Sequence, residues 1–357
     1  MMNKYEARIK ALTEQFDAAG IDGLYISGVP GVSYFTGKKG DDCALWVDKD
    51  GAVIITDFRY RELAQSLTWL RFYETDDTHR TTDFLNSLSC TKIGVEKDWL
   101  SLNTYLAFNE KLTEKEIIPV SGLVENLRMV KDSDEIEWTR EAARIGCDAF
   151  NYACGIIKPG MSEKALAFEL EYHMLSHGAD GIAFGTIAVT GPKTSMPHGV
   201  PGDEVIKSGD FVTMDFGCVV NGYHSDMTRT VAMGSATDEM RKVYDIVLRA
   251  QLAACDNIRA GLSGRECDAF ARDIIRAEGY GEYFGHSLGH GTGLEIHEFP
   301  RFAAGYDGII KENAIMSIEP GIYLPGRFGV RIEDLAIIKK DGILNLCDSA
   351  TKELIVL

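Results

Sequence analysis

The stretch Phe211-Val212-Thr213-Met214-Asp215-Phe216-Gly217-Cys218-Val219-Val220-Asn221-Gly222-Tyr223-His224-Ser225-Asp226-Met227-Thr228-Arg229-Thr230 decides the fold. Two apolar runs flank Asn221-Gly222, a dipeptide suited to a two-residue hairpin loop because both of its positions need positive φ. With that loop Val220 faces Tyr223, Asp215 opposes Thr228, and Asp226 opposes Gly217. Positions 226 and 228 then share a face, which makes the two carboxylates diagonal neighbours on one side of the ribbon. A three-residue loop would reverse that parity. Acids crowded on a buried face repel, and neither ionises cheaply without a cation. Arginine or backbone partners would also satisfy two strand acids, so this pair alone leaves both readings open.

Working outward, the spacing predicts helices over 134–157 and 162–177 before this hairpin and over 237–259 and 263–278 after it. The last is opened by a Ser263-x-x-Glu266 capping box and closed by Gly279. A second extended pair follows at 314–324 and 330–339, around a Pro/Gly-rich loop. Two helices and a hairpin thus occur twice, a plan that stacks two half-domains about a shared sheet with a site where the hairpins meet. Glu319 and Glu333 interrupt the second pair of apolar strands, as Asp215 and Asp226 interrupt the first. The coincidence across both halves argues against four unrelated structural acids.

Upstream, Lys131-Asp132-Ser133-Asp134 opens the helix at 134, with Asp132 or Ser133 as its cap. The pattern changes here, so the expected organisation is a first domain over 1–124, a connection at 125–133 and a second domain over 134–357. In the first domain strands are expected at 23–26, 43–47, 52–56 and 93–95, with a turn at Asp48-Lys49-Asp50-Gly51. Helices are expected near 3–19, 58–68 and 98–112. This is a small α/β domain with one histidine, His79, and no clustered chemistry.

The chain has 357 residues, with 37 Lys plus Arg against 54 Asp plus Glu and a net charge of −17. That field repels phosphate backbones and disfavours nucleic acid as a partner. No run reaches the roughly 18–20 apolar residues of a membrane helix. The first residues mix Lys4, Glu6, Arg8 and Lys10 with Tyr5, Ile9 and Leu12, an amphipathic pattern without a signal-peptide core. The eight cysteines are dispersed and form no C-x-x-C pair, which reads as reduced thiols in a cytoplasmic protein.

Five of the eight histidines lie between 198 and 297. Three belong to Gly285-His286-Ser287-Leu288-Gly289-His290-Gly291-Thr292-Gly293-Leu294-Glu295-Ile296-His297-Glu298, whose glycines leave His290 sterically accessible. This is not a phosphate loop, since no Lys-Ser/Thr end and no helix pattern follow. His173 and His177 stand i,i+4 on a helix, but Met174 occupies the place of a zinc-protease base, so this pair reads as structural or surface. Four carboxylates and one imidazole suit two divalent ions such as Mn, Co, Fe or Zn, because four negative charges balance two dications. Two ions about 3.5–4 Å apart make a bound water acidic and polarise a carbonyl, which is hydrolytic chemistry.

At these residues the sequence resembles the pita-bread metallopeptidases: prolidase (Xaa-Pro dipeptidase), aminopeptidase P, methionine aminopeptidase and the metal-free creatinase. The strings Met214-Asp215-Phe216-Gly217, Ser225-Asp226-Met227-Thr228-Arg229-Thr230, Gly289-His290-Gly291-Thr292-Gly293, Ile318-Glu319-Pro320-Gly321 and Val330-Arg331-Ile332-Glu333-Asp334 match in order. The resemblance implies an α/β N-terminal domain and an α+β pita-bread domain of pseudo-twofold helix–helix–hairpin halves. It also implies two divalent metals, Mn or Co with Zn or Fe also accepted, ligated by Asp215, Asp226, His290, Glu319 and Glu333. Asp226 and Glu333 would bridge, Asp215 would hold one ion, and His290 with Glu319 the other. Glu319 would relay the proton between water and leaving amine. His198, in Met196-Pro197-His198-Gly199, would bind substrate, and His297 would steady the tetrahedral intermediate.

The N-terminal domain resembles that of prolidase, aminopeptidase P and creatinase and is absent from most methionine aminopeptidases; creatinase lacks the metal set present here. Both points favour an Xaa-Pro peptidase acting on short proline-containing peptides, as a homodimer. His297-Glu298-Phe299-Pro300-Arg301 is similar to the prolidase stretch whose arginine pairs with the free carboxylate of a dipeptide. The expectation is therefore an Xaa-Pro dipeptidase. The alternatives are an aminopeptidase P acting on longer peptides and a non-catalytic peptide-binding member of the fold.

Overall fold

Asn221 and Gly222 take φ of 50° and 84°, so the chain reverses in two residues. Val220 pairs with Tyr223, and further along Thr228 faces Asp215, the register expected from the loop length. The computed structural model describes residues 3–357 in two units, one ending at Arg128 and the other Met129–Leu357.

In the second unit, helices Ser133–Ile156 and Glu163–Ser176 pack on the first hairpin, and helices Asp238–Asn257 and Gly264–Ala277 belong to the second half. All four are capped at their N-termini by side chains, from Asp132, Ser162, Thr237 and Ser263. The second hairpin is buried on both faces, and its period-2 alternation divides it between two cores. Ile315, Leu335 and Ile337 pack with Phe150, Leu170 and Met214, whereas Met316, Ala336 and Ile338 pack with Val247, Ala271 and Phe302.

The hairpin strands are not continuous, as the sequence pattern had suggested. Phe211–Phe216 gives way to Cys218–Val220, and Tyr223–His224 to Met227–Ala232. Ile315–Ile318 gives way to Gly321–Leu324, and Phe328–Arg331 to Asp334–Lys339. Asp226, Glu319 and Glu333 sit in these breaks. Each break has a physical cause. Gly217 lies so close to the Ser225 carbonyl that an added Cβ would be 1.9 Å from its oxygen. Pro320 has no N–H for a ladder. The Glu319 amide donates to Leu288 O at 2.8 Å and the Glu333 amide to Thr228 O at 3.0 Å, so the breaks tie each hairpin to its neighbours.

Behind the breaks lies a buried charge network. Arg229, 1% exposed, donates to Asp334 Oδ1 at 2.7 Å and to the carbonyls of Thr228 and Ala350 at 3.0 and 2.9 Å. Removing this cation would leave the buried Asp334 carboxylate with Lys352 as a charged partner on one oxygen only. Arg229→Met is expected to lower unfolding free energy by about 3–5 kcal/mol, read by urea titration. A loss below about 1 kcal/mol would show that Gln251, Asn345 and Lys352, the other donors to Asp334, suffice.

The first unit is a six-stranded mixed sheet in the order Arg71–Thr75, Gly51–Asp57, Ala44–Asp48, Gly23–Ile26, Lys92–Glu96, Glu116–Val120. The four central strands are those expected. The two edge strands escape the pattern because neither shows a clean alternation of buried and exposed positions. Helix Val29–Thr36 also escapes it, because Pro30 and Gly31 read as a loop; in fact Pro30 lies in the first turn and Gly37 closes the end with φ 67°. In the stretch 125–133, helix Leu123–Arg128 and the start of the next helix at Ser133 leave only 129–132 outside helices. Val124 buries, which gives this short helix a packing face. Among the described residues no helix is long and apolar enough to cross a membrane.

Candidate active site

The eight residues singled out from the sequence, Asp215, Asp226, His290, Glu319, Glu333, His198, His297 and Arg301, all line one cavity of about 1110 Å³ in the second unit. Ligand-type atoms of Asp226, His290 and Glu333 lie within 4.8 Å of one another. His290 Nε2 is 3.6 Å from Asp226 Oδ2 and 3.4 Å from Glu319 Oε1. His297 stands edge-to-face on His290 with ring centroids 4.4 Å apart. His198 and Arg301 are exposed within the cavity lining. His173 and His177 are elsewhere, stacked on each other at 3.9 Å on their helix.

The charges define what this cluster can hold. Burial, then repulsion from Glu333, Asp215 and Glu319, pushes the Asp226 carboxyl far above the usual carboxylate range. Burial and the Glu319 and Asp215 charges do the same to Glu333. Glu319 is pushed up to about 8, chiefly by burial. Burial lowers His290 to about 3, so its imidazole is neutral. Its Nδ1 donates to Gly291 O at 3.1 Å, which leaves the Nε2 lone pair facing the carboxylates. Asp215 Oδ2 accepts from Arg331 at 2.6 Å, but Oδ1 is buried with no hydrogen-bond partner. A neutral imidazole, an orphaned carboxylate oxygen and acids too crowded to ionise together fit a divalent cation.

Residues 137–340 match metallopeptidase family M24, and residues 8–130 match the creatinase/prolidase N-terminal domain. An Xaa-Pro dipeptidase from Bacillus anthracis superposes with a TM-score of 0.96 at 41% identity, over 99% of this chain and 100% of that one. An X-Pro aminopeptidase from Thermotoga maritima gives a TM-score of 0.89 at 36% identity, over 98% and 99%. The Xaa-Pro dipeptidase of Pyrococcus furiosus is 35% identical over 95% of this chain and 97% of its own.

The chain belongs to metallopeptidase family M24. Its second unit has the pita-bread fold, and it is a metal-dependent peptidase. Sequence reasoning missed the residues that hold the candidate ligand residues in place. Arg331 donates to Asp215, to Thr228 Oγ1 at 2.9 Å and to the Tyr323 hydroxyl at 2.8 Å. Thr228 in turn donates to Glu333 at 2.6 Å, and Ser317 to Glu319 at 3.1 Å. His286 Nδ1 donates to Ser287 O at 2.8 Å, so its Nε2 accepts from Tyr323, also at 2.8 Å. Arg331 was detectable as a cation in an apolar strand, which must find a buried anion. Tyr323 and His286 carry no such signal, because strand tyrosines and loop histidines are common.

Proposed function

We propose that this M24 peptidase binds two divalent ions, Mn or Co, and hydrolyses the Xaa-Pro bond of short peptides, with Xaa-Pro dipeptides preferred. The observation that carries the reading is one cavity holding four acids, a neutral imidazole, two further histidines and an arginine at its lining. In this reading Asp215, Asp226, His290, Glu319 and Glu333 would hold the ions. The ions supply a polarised scissile carbonyl and an acidic water. Glu319, steadied by Ser317, takes a proton from the attacking water and delivers it to the leaving proline nitrogen. Burial, then the charges of Arg301 and His198, lowers the His297 pKa, so it meets the developing oxyanion as a neutral N–H donor. His198 orients the peptide. Dispersed, mostly buried free cysteines support a cytoplasmic setting, and a homodimer completes the reading.

Arg301 separates a dipeptidase from an aminopeptidase. Its guanidinium matches a carboxylate with two parallel hydrogen bonds, and only a dipeptide has a free carboxylate on the proline itself. Xaa-Pro dipeptides are expected to be cleaved faster than Xaa-Pro-Yaa tripeptides. Arg301→Ala should cost dipeptide kcat/KM about 1.5–3 kcal/mol and spare tripeptides. The assay is a panel of Xaa-Pro, Xaa-Pro-Yaa, Met-Ala-Yaa and creatine after loading with Mn, Co or Zn. Equal losses on both proline substrates, or none, would move the assignment to an Xaa-Pro aminopeptidase. No turnover of any peptide would point to a binding protein.

A further inference from the structure

One buried ion pair in the second unit has no part in the chemistry above. Lys131 Nζ lies 2.6 Å from Glu298 Oε1, with the two side chains 1% and 6% exposed. Glu298 directly follows His297 and precedes Arg301 by three residues. The segment between Thr292 and Glu298 is folded around this carboxylate. A Cβ on Gly293 would lie 2.6 Å from Glu298 Oε1, so the loop packs closely against the carboxylate. The loop is further pinned by Thr292 Oγ1 donating to Ile296 O at 3.2 Å and by the His224 amide donating to Gly293 O at 2.9 Å. Beyond it the ladder with the His290 strand is irregular: His290 pairs with Arg301, but Gly291 pairs with Glu298, so the register shifts between them. The ladder therefore places Arg301 opposite His290, whereas His297 precedes the strand and no strand pair places it. Lys131 itself is fixed by its amide donating to Asn313 O at 3.1 Å.

We propose that the Lys131–Glu298 pair is a positioning element: it holds residues 292–298 around the Glu298 carboxylate and so sets where His297 stands in the cavity. It acts through His297 and does not touch substrate. The proposal rests on the Xaa-Pro reading for its kinetic consequence, but not for its structural one. A buried pair is poor evidence of stabilisation, since a neutral pair of the same shape is often as stable. What the charged pair adds is a fixed geometry, and a displacement of about 1 Å can cost roughly 100-fold in rate.

The test compares Lys131→Met, which leaves a buried charge, with Lys131→Met/Glu298→Gln, which removes both charges and keeps the volume. Lys131→Arg, which retains the charge, serves as the conservative variant. The single Met variant is expected to melt lower, and the double variant to return close to wild type. Amide hydrogen exchange over 292–298 should stay elevated in the double variant. Its kcat for Xaa-Pro dipeptides should fall about 100-fold as His297 shifts, with KM close to wild type. Metal content and the melting-temperature gain on adding Mn should match wild type, and Lys131→Arg should recover part of the rate. A double variant with recovered melting temperature and a rate within about threefold of wild type would overturn the proposal, as would unchanged exchange over 292–298. If wild type cleaves no Xaa-Pro peptide, the reaction assigned above fails, while the exchange result still reads the loop's dependence on the pair.

Discussion

Removing divalent metal with a chelator is expected to abolish peptide hydrolysis and lower the melting temperature, and adding Mn or Co back to restore both. A ligand that binds only the folded state stabilises by about 2.7 kcal/mol at a free concentration of about 100 Kd. The site makes this gain depend on pH. Without metal, burial and mutual repulsion hold Asp226 and Glu333 well above the usual carboxylate range, and burial lifts Glu319 from 4.5 to about 8. A carboxyl whose folded pKa is raised makes the folded state bind more protons than the unfolded chain between the two values. Stability of the metal-free protein therefore falls as pH rises through that window, here from about 4.5 to about 8. Metal takes the place of those protons. Differential scanning calorimetry should show a larger metal-induced gain near pH 8 than near pH 5. Full activity after exhaustive chelation would refute metal catalysis, and a gain that does not vary with pH would refute the account of the charges.

The second large effect concerns Asp226, which lies within ligand distance of both His290 and Glu333. Asp226→Asn keeps the shape and removes one charge from the proposed ligand set. Metal content measured by emission spectroscopy should fall, and kcat should drop by about three orders of magnitude, roughly 4 kcal/mol of transition-state stabilisation. The metal-free variant should behave oppositely. With one fewer repelling carboxylate it should melt above metal-free wild type near neutral pH, since Glu333, Asp215 and Glu319 all oppose its ionisation. Near-native turnover with full metal content would remove Asp226 from the ligand set. A metal-free variant less stable than wild type would show that hydrogen bonding, not repulsion, dominates at this position.

Much of the site was legible because its residues are chemically out of place where they stand. An acid in an apolar strand costs desolvation energy that something must offset, and Asp215, Asp226, Glu319 and Glu333 each carry that mark. Asn221-Gly222 leaves little choice of loop length, so the register around Asp215 and Thr228 followed from local backbone sterics. The capping box at Ser263 and Glu266 was readable for the same reason, since its partners lie within one turn of each other. The edge strands and helix Val29–Thr36 were not legible. Pro30 and Gly31 disfavour a helix locally and the edge strands lack a clean alternation, so packing in the folded chain decides both.

What the sequence determined by itself was the local pattern: two helices and a hairpin repeated, the chemical identity of the ligand-type residues, and the resemblance they carry. What only the tertiary structure decided was how those residues are held. Arg331 meets Asp215 across 116 positions of chain, Thr228 meets Glu333 across 105, and Lys131 meets Glu298 across 167. No window of sequence contains such pairs. The breaks in the hairpins were equally hidden, because the amides of Glu319 and Glu333 find their partners on other segments. Strand periodicity reports which face a side chain takes, and it is set by neighbouring residues. Which buried charge meets which is set by the approach of distant segments, and only the folded chain brings them together.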